Sequence, residues 1–390
     1  RYRLFAKGNL GKGDFNVYRM FVETALDWTR PTGRAAQLTP ENLYNGPNAA
    51  AIRRHLYETC ELELLLGFEN LRGIWFPDID SRTKFCLYVS AIGGRTTRFP
   101  TAFRIASHAD LSPTTGKRLL MDVRLIREFS PTALAIPELD SQEAVDVSVK
   151  IYDRWPKFGD KMRWHPFREY MREVDMGTNR DLFNSDGVGL PVYEGRMVAQ
   201  FDHRAKGYVS GRGRSAVWDD YAFSDTRKRI QPQWWIAEDK LPDKVLGRIQ
   251  NFRIGFCDVT SPTNERSLVA AMLPPNTVSG HKVPTICLEG AEAAHYLVWL
   301  ATANSFAIDY LVRRKVGLSM SYTILDSIPI PAPSLDSAFV RRCVELAAGL
   351  TCSGSEMAPL WTQLVSDGWV SGEQRPIEDE EARLEARAEL

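Results

Sequence analysis

The sequence lacks any apolar run of about eighteen residues, so a membrane-spanning helix is not expected. No signal-peptide pattern stands at its start. Charge of one sign is also missing: 49 Lys and Arg balance 49 Asp and Glu, for a net charge of zero. That excludes a blanket polycation and leaves nucleic-acid binding to a local patch. Cysteine is sparse. Cys60, Cys86, Cys257, Cys287, Cys343 and Cys352 form no CxxC motif, which predicts buried free thiols in a reducing, cytoplasmic setting. The six histidines include no HxxxH or HxH pair, so no structural zinc site and no other metal is expected. A Walker loop is absent too, because Gly13 stands where Ser or Thr must follow Lys12. The glycines of segment 8–13 read instead as a tight turn into a helix capped by Asp14. There is no internal repeat, no low-complexity segment and no carboxylate–carboxylate–lysine cluster that would mark a nuclease centre.

What is present is an ordinary globular composition, 44% hydrophobic and 25% charged. The length predicts two or three domains. The chain opens on Arg1 and closes on a charged run, which reads as a fragment of a longer protein. The first hundred residues alternate helix and strand. A helix is expected from Phe15 to about Thr29, with Val17, Phe21, Ala25 and Trp28 on one face. A second is expected over Asn48–Thr59, with Arg53 and Arg54 outward. Strands are expected at Ala35–Thr39, Leu62–Phe68 and Phe85–Ala91. Such alternation predicts α/β architecture, too short for a complete doubly wound domain. Further on, helices are expected at Gly116–Phe129, Ser141–Arg154, Ala291–Arg314 and Ser334–Ala348, with irregular short strands between. Pro329, Pro331 and Pro333 would stiffen the link into the last of these. The tail from Glu373 to Glu389 has seven acidic residues against three arginines. It reads as a solvated helix or a contact surface.

The order of several weak motifs is more specific than any one of them. Gly11-Lys12-Gly13-Asp14-Phe15-Asn16-Val17-Tyr18, Gly33-Arg34 through Pro40, and Trp75-Phe76-Pro77 followed by Lys84 to Val89 lie in the first part. Leu190 to Met197, Gln200 to Arg204, Thr263 to Arg266 and Asp309 to Arg313 lie in the second. Together they resemble the C-terminal part of large single-chain adenine-specific DNA methyltransferases of the restriction–modification type (type IIG-like), with their target recognition domain. The resemblance implies methyl transfer from S-adenosyl-L-methionine to adenine N6, on a base flipped out of duplex DNA. It also implies an upstream catalytic half as partner. The family's glycine motif for the methyl donor is absent here, and so is its Asn/Asp-Pro-Pro-aromatic tetrapeptide. Leu273-Pro274-Pro275-Asn276 has the wrong order. No cofactor-binding residue is therefore expected within these residues.

For the flipped base the resemblance implies an aromatic face at Phe76, with Trp75 second. Read from the residues alone, a Trp-Phe pair after an apolar run is usually a core element. Between Glu194 and Gln231 eight basic residues face five acidic ones, with aromatics interleaved. Arg196, Arg204, Lys206, Arg212 and Arg214 are the expected DNA contacts, joined by Arg266, Arg313 and Arg314. The segment GYVSGRGR at Gly207–Arg214 reads as a flexible basic loop that tracks phosphates or reads guanine. A partly salt-bridged surface is the plain alternative, and the run at Arg313–Lys315 equally suits a helix C-terminus. His203 beside Asp202 is taken as structural.

The expected architecture is thus the outer half of a Rossmann-like methyltransferase sheet at 1–105 and a helical connector at 106–160. A mixed α+β recognition domain at 161–335 and a C-terminal helical segment at 336–390 follow. A DNA-specificity subunit that docks onto a separate catalytic chain is the competing reading.

Overall fold

The computed structural model describes residues 16–112, 118–160, 168–225, 227–288, 290–316, 318–331 and 335–390, with Arg214 described by its backbone only. The turn at 8–13, the Asp14 cap, Gly116 and Pro333 lie outside the described residues. The chain forms two compact units, 1–154 and 155–390.

The first unit is built on β1 (Arg34–Pro40), β2 (Cys60–Glu69), β3 (Lys84–Ile92), β4 (Arg98–Ile105) and β5 (Leu119–Asp122), in the order β1-β3-β2-β4-β5. Strand β3 is antiparallel to β1 and β2, β4 is parallel to β2, and β5 returns antiparallel to β4. Strands β1, β2 and β4 therefore share one direction, which β3 and β5 oppose. Leu65, Leu66 and Phe68 are all buried, as suits a strand covered on both faces. Gly67 is required there, because a Cβ would stand 2.9 Å from the Phe103 ring.

Helix α1 (Tyr18–Trp28) buries Arg19, Val22, Glu23 and Leu26, so the stripe Val17, Phe21 and Trp28 faces outward. In α2 (Ala50–Glu58) the outward placement of Arg53 is corrected. Its guanidinium is 1% exposed and donates to the carbonyls of Leu43 (2.7 Å), Gly46 (2.7 Å) and Ala133 (3.1 Å). Three backbone carbonyls need a buried donor there, and a long cationic side chain supplies it.

The separate connector at 106–160 is also corrected. Leu119 and Met121 are buried while Leu120 is exposed, a period of two. This stretch pairs with β4 rather than forming a helix. Asp122 then caps the shorter α3 (Val123–Phe129) by accepting from the Arg124 amide at 2.8 Å. Helix α4 (Gln142–Arg154) packs on both.

Among the described residues the second unit holds two four-stranded sheets, one containing β6 (Arg168–Met171) and the other β7 (Phe183–Asn184) and β8 (Leu190–Tyr193), together with one two-stranded ribbon and the helix α5 (Asp243–Ile249). The ribbon pairs β9 (Lys206–Ser210) with β10 (Val217–Asp220). The single helix expected over Ala291–Arg314 is two, α6 (Ala293–Ala303) and α7 (Phe306–Arg313). The chain breaks because Asn304 turns its amide onto Ala270, accepting from its N–H (3.1 Å) and donating to its carbonyl (3.0 Å). Ser305 then caps α7. Residues 336–390 are not a separate segment: α8 (Ala338–Thr351) packs on α6 in the same core as Trp299. The acidic tail forms α9 (Glu380–Glu389), held by Arg383 over the Phe223 ring and by Arg342 paired to Glu389 at 2.7 Å.

Arg253 and Glu173 form a fully buried ion pair at 2.6 Å. Arg253 also donates to the Pro274 and Thr277 carbonyls at 3.1 and 2.5 Å. Pro274-Pro275-Asn276 is thereby a structural turn. All six cysteines are free. Among the described residues, no helix is long and apolar enough to cross a membrane.

Candidate nucleic-acid interface

The connection from β2 to β3 presents an aromatic ring on a fixed frame. Asn70 is completely buried. Its amide nitrogen donates to the carbonyls of Phe76 (2.9 Å) and Ile79 (3.1 Å). Its amide oxygen accepts from the N–H groups of Trp75 (3.2 Å) and Phe76 (3.0 Å). The loop needs this buried partner because Arg72 and Gly73 both turn through positive φ, which leaves no regular ladder. Phe76 is 42% exposed and touches the protein through an edge contact to Phe85, ring centres 5.0 Å apart. Trp75 has the opposite environment. It meets Phe68 edge-on at 5.2 Å and His108 at 4.8 Å, against the cluster of Leu66 and Phe85. Of the two expected aromatics, Phe76 offers the open ring and Trp75 is mainly a packing residue. Leu71, Ile74 and Ile79 are exposed on the same loop.

In the second unit the expected DNA contacts separate into three groups. Arg212 is exposed at the tip of the ribbon, and its guanidinium has no partner among the described residues. Arg214 shares that tip, its side chain outside the described residues. Arg196 is exposed and donates to the Ala216 carbonyl at 3.2 Å, bracing the ribbon from the side. Lys206 is half-buried at the ribbon's base, paired with Asp220 at 2.6 Å.

Arg204 is corrected: it is 7% exposed and built into the fold. Its Nε pairs with Glu356 at 2.9 Å, while Nη1 and Nη2 donate to the carbonyls of Lys228 (3.2 Å) and Ser353 (3.0 Å). Lys228 is equally committed, to Asp202 at 2.5 Å. The neighbouring His203 lies between the Tyr193 hydroxyl (2.6 Å) and Glu356 (3.3 Å). Burial lowers the His203 pKa. Burial also opposes the Glu356 charge, yet His203 and Arg204 outweigh it and hold that carboxyl at about 2. The cluster is closed and structural.

Arg313 and Arg314 are half-buried and bonded within the fold, whereas Arg266 is half-buried against one exposed ring. Arg313 donates to the carbonyls of Pro262, Asn264 and Glu265 at 2.6–2.9 Å and pairs with Asp309 at 2.8 Å, so it ties a loop to α7. Arg314 lies over Tyr310 and donates to that residue's carbonyl at 2.8 Å, at the α7 C-terminus. Arg266 stacks on Phe306.

The ribbon itself is ordered, which the reading of GYVSGRGR as a flexible loop missed. Tyr208 meets Trp218 edge-on across the strands, ring centres 5.6 Å apart. The Tyr208 N–H donates to the Gln231 carbonyl at 2.8 Å, and the Gln231 amide returns a bond to the Tyr208 carbonyl at 2.6 Å. Gly211, at φ +82°, accepts from the Tyr208 hydroxyl (2.7 Å) and from Gln233 (3.2 Å). A Cβ on Gly211 would stand 2.4 Å from the Ser215 carbonyl oxygen. Ser215 closes the tip by donating its hydroxyl to the Arg212 carbonyl at 2.9 Å. The signals for this lay in the sequence: Tyr208 and Trp218 flank a Gly-x-Gly tip, a hairpin pattern. Asn70 had a weaker signal, an Asn at a strand end followed by Gly73. Beside the ribbon, burial pushes the Glu194 carboxyl up to about 7, with Arg196 opposing the shift.

Compared with known proteins, the chain matches no family model and no curated protein. Among solved structures it is similar to the type IIL restriction-modification enzyme MmeI in complex with DNA. The identity is 9% and the TM-score 0.37, over 99% of this chain and 55% of that one. It is similar to the type IIG restriction endonuclease BpuSI at 10% identity and a TM-score of 0.31, over 93% and 50% of the two chains. The DrdV–DNA complex gives 9% identity and a TM-score of 0.31, over 89% and 40%. The chain therefore spans less than two thirds of the length of each of these three structures.

Proposed function

We propose that the chain is the C-terminal part of a site-specific DNA adenine-N6 methyltransferase of a restriction–modification system. In this reading the first unit holds a flipped adenine and the second recognises the DNA sequence. The observation that carries it is Phe76: an open aromatic ring whose backbone is locked on both sides by one buried amide. A flipped base needs a π-face that is both accessible and stationary. Such a face contributes about 1–3 kcal/mol per stacked base. The three strands of common direction, β1, β2 and β4, with helices against the sheet, are consistent with the outer half of a Rossmann-like domain.

S-adenosyl-L-methionine would supply the methyl group, and in this reading its pocket belongs to an upstream half. Two open clefts of about 550 Å³ lie in the second unit. The charged groups of the first, Lys244, Glu169 and Arg248, are paired with one another at 2.8 and 3.0 Å. Those residues do not fit the cofactor.

The test is sequencing of N6-methyladenine in DNA from cells that express the complete protein. Methylation confined to one sequence context is the expected result, lost in Phe76→Ala at equal protein level. Absence of methylation, or methylation indifferent to Phe76, overturns the proposal.

A further inference from the structure

We propose that the β9–β10 ribbon enters the DNA major groove and that Arg212 at its tip reads a guanine. This rests on the DNA-binding reading above and goes beyond it by assigning the element and the base. A two-stranded ribbon is one of the few elements that a groove about 12 Å wide and 8.5 Å deep admits. The alternative is that the ribbon only neutralises phosphates. Its charge is placed wrongly for that. Lys206, the basic residue on the strands, is already paired with Asp220 at the base. From Gly207 to Trp218 there are two arginines, Arg212 and Arg214, and no acidic residue. Arg212, whose guanidinium has no partner among the described residues, therefore stands at the end that would go deepest.

The two faces of the ribbon differ in the same sense. Tyr208 and Trp218 turn one face toward the protein, where Trp218 packs beside Tyr193 and Met197. Val209 and Val217 are exposed, at 48% and 52%. Valine methyls gain nothing from a phosphate backbone, whereas base edges offer the thymine 5-methyl group. Finally, the tip is pre-organised. The Gly211 carbonyl has two donors and the Arg212 carbonyl is held by Ser215. Base reading needs the bearer of the guanidinium to be fixed in this way, since each ordered bond then costs less conformational freedom on binding. An arginine so presented can bond guanine O6 and N7 together.

The experiment is selection from a randomised duplex library by the 390-residue chain, repeated with Arg212→Ala and Arg212→Lys, with affinities measured over a salt series. The expected wild-type result is an enriched motif containing at least one invariant G·C pair. Arg212→Ala should lose discrimination at one guanine by about 5- to 150-fold, with the salt slope nearly unchanged. Replacing that guanine by 7-deazaguanine should weaken the wild type and leave Arg212→Ala indifferent. A motif retained intact in Arg212→Ala, with uniformly weaker binding and a salt slope smaller by about one, identifies a phosphate contact and overturns the inference. Wild-type binding with no enriched motif also overturns it, while leaving the DNA reading standing. No binding to any duplex overturns both.

Discussion

The buried amide of Asn70 holds Phe76 from both sides of its peptide, donating to its carbonyl at 2.9 Å and accepting from its N–H at 3.0 Å. One side chain thus decides where an exposed ring points. Asn70→Ala should cost about 1–3 kcal/mol, because buried backbone groups lose their partner. Hydrogen exchange at the Trp75 and Phe76 amides is the direct readout. Their protection should fall selectively, while that of β2 and β3 is kept.

Phe76→Ala should cost far less stability than truncation of a fully buried ring such as Phe99, for which about 3–5 kcal/mol is usual. In the complete protein, methyl transfer should nevertheless fall about 5- to 150-fold, the equivalent of one lost stacking face. Phe76→Trp should keep much of the activity. A large drop in melting temperature with normal turnover per folded molecule would assign the ring to the core instead.

Arg204 and Arg212 should behave oppositely. Arg204→Ala leaves Glu356 and two carbonyls without their cation, and loss of one partner of a buried pair costs about 3–5 kcal/mol. Partial exposure of Glu356 places the effect toward the lower end. Arg212→Ala should stay within about 0.5 kcal/mol of wild type and act on DNA binding alone. Urea denaturation of the two variants separates the roles.

Glu194 gives a pH dependence with a defined sign. Its folded carboxyl titrates at about 7 against an ordinary value of 4.5, so the folded state binds the proton more tightly than the unfolded one. Stability from this group is fully present below pH 4.5, declines as pH rises and is lost above about 7. The change is on the order of 3 kcal/mol. Glu194→Gln should flatten that part of the profile in denaturation measured between pH 4.5 and 8. A variant profile parallel to wild type would assign the slope to other groups.

Titration calorimetry of these 390 residues with S-adenosyl-L-methionine should give no stoichiometric heat, since the glycine motif of the methyl donor is absent from the sequence. A micromolar, stoichiometric response would mean that the pocket is built from other residues.

Local pattern determined much of the first unit. The strand runs in β1 and β2 were legible as short, mostly apolar stretches and that in β3 by its β-formers, and each lies within a few residues of its expected span. The position of Trp75-Phe76-Pro77 between two strands was legible in the same way. Strand order and direction were not, since pairing is set by contacts distant in sequence. Nor did spacing distinguish the two rings: Phe76 is open and Trp75 packed because Asn70 turns the loop, a relation five and six residues away. Charge was the least legible property. Arg53 read as an outward cation and Arg204 and Arg313 as DNA contacts, yet each donates to backbone carbonyls of its own chain. A sequence records that a guanidinium is present. Only the tertiary structure decides whether its five donors meet protein oxygens or remain, as at Arg212, available to a partner.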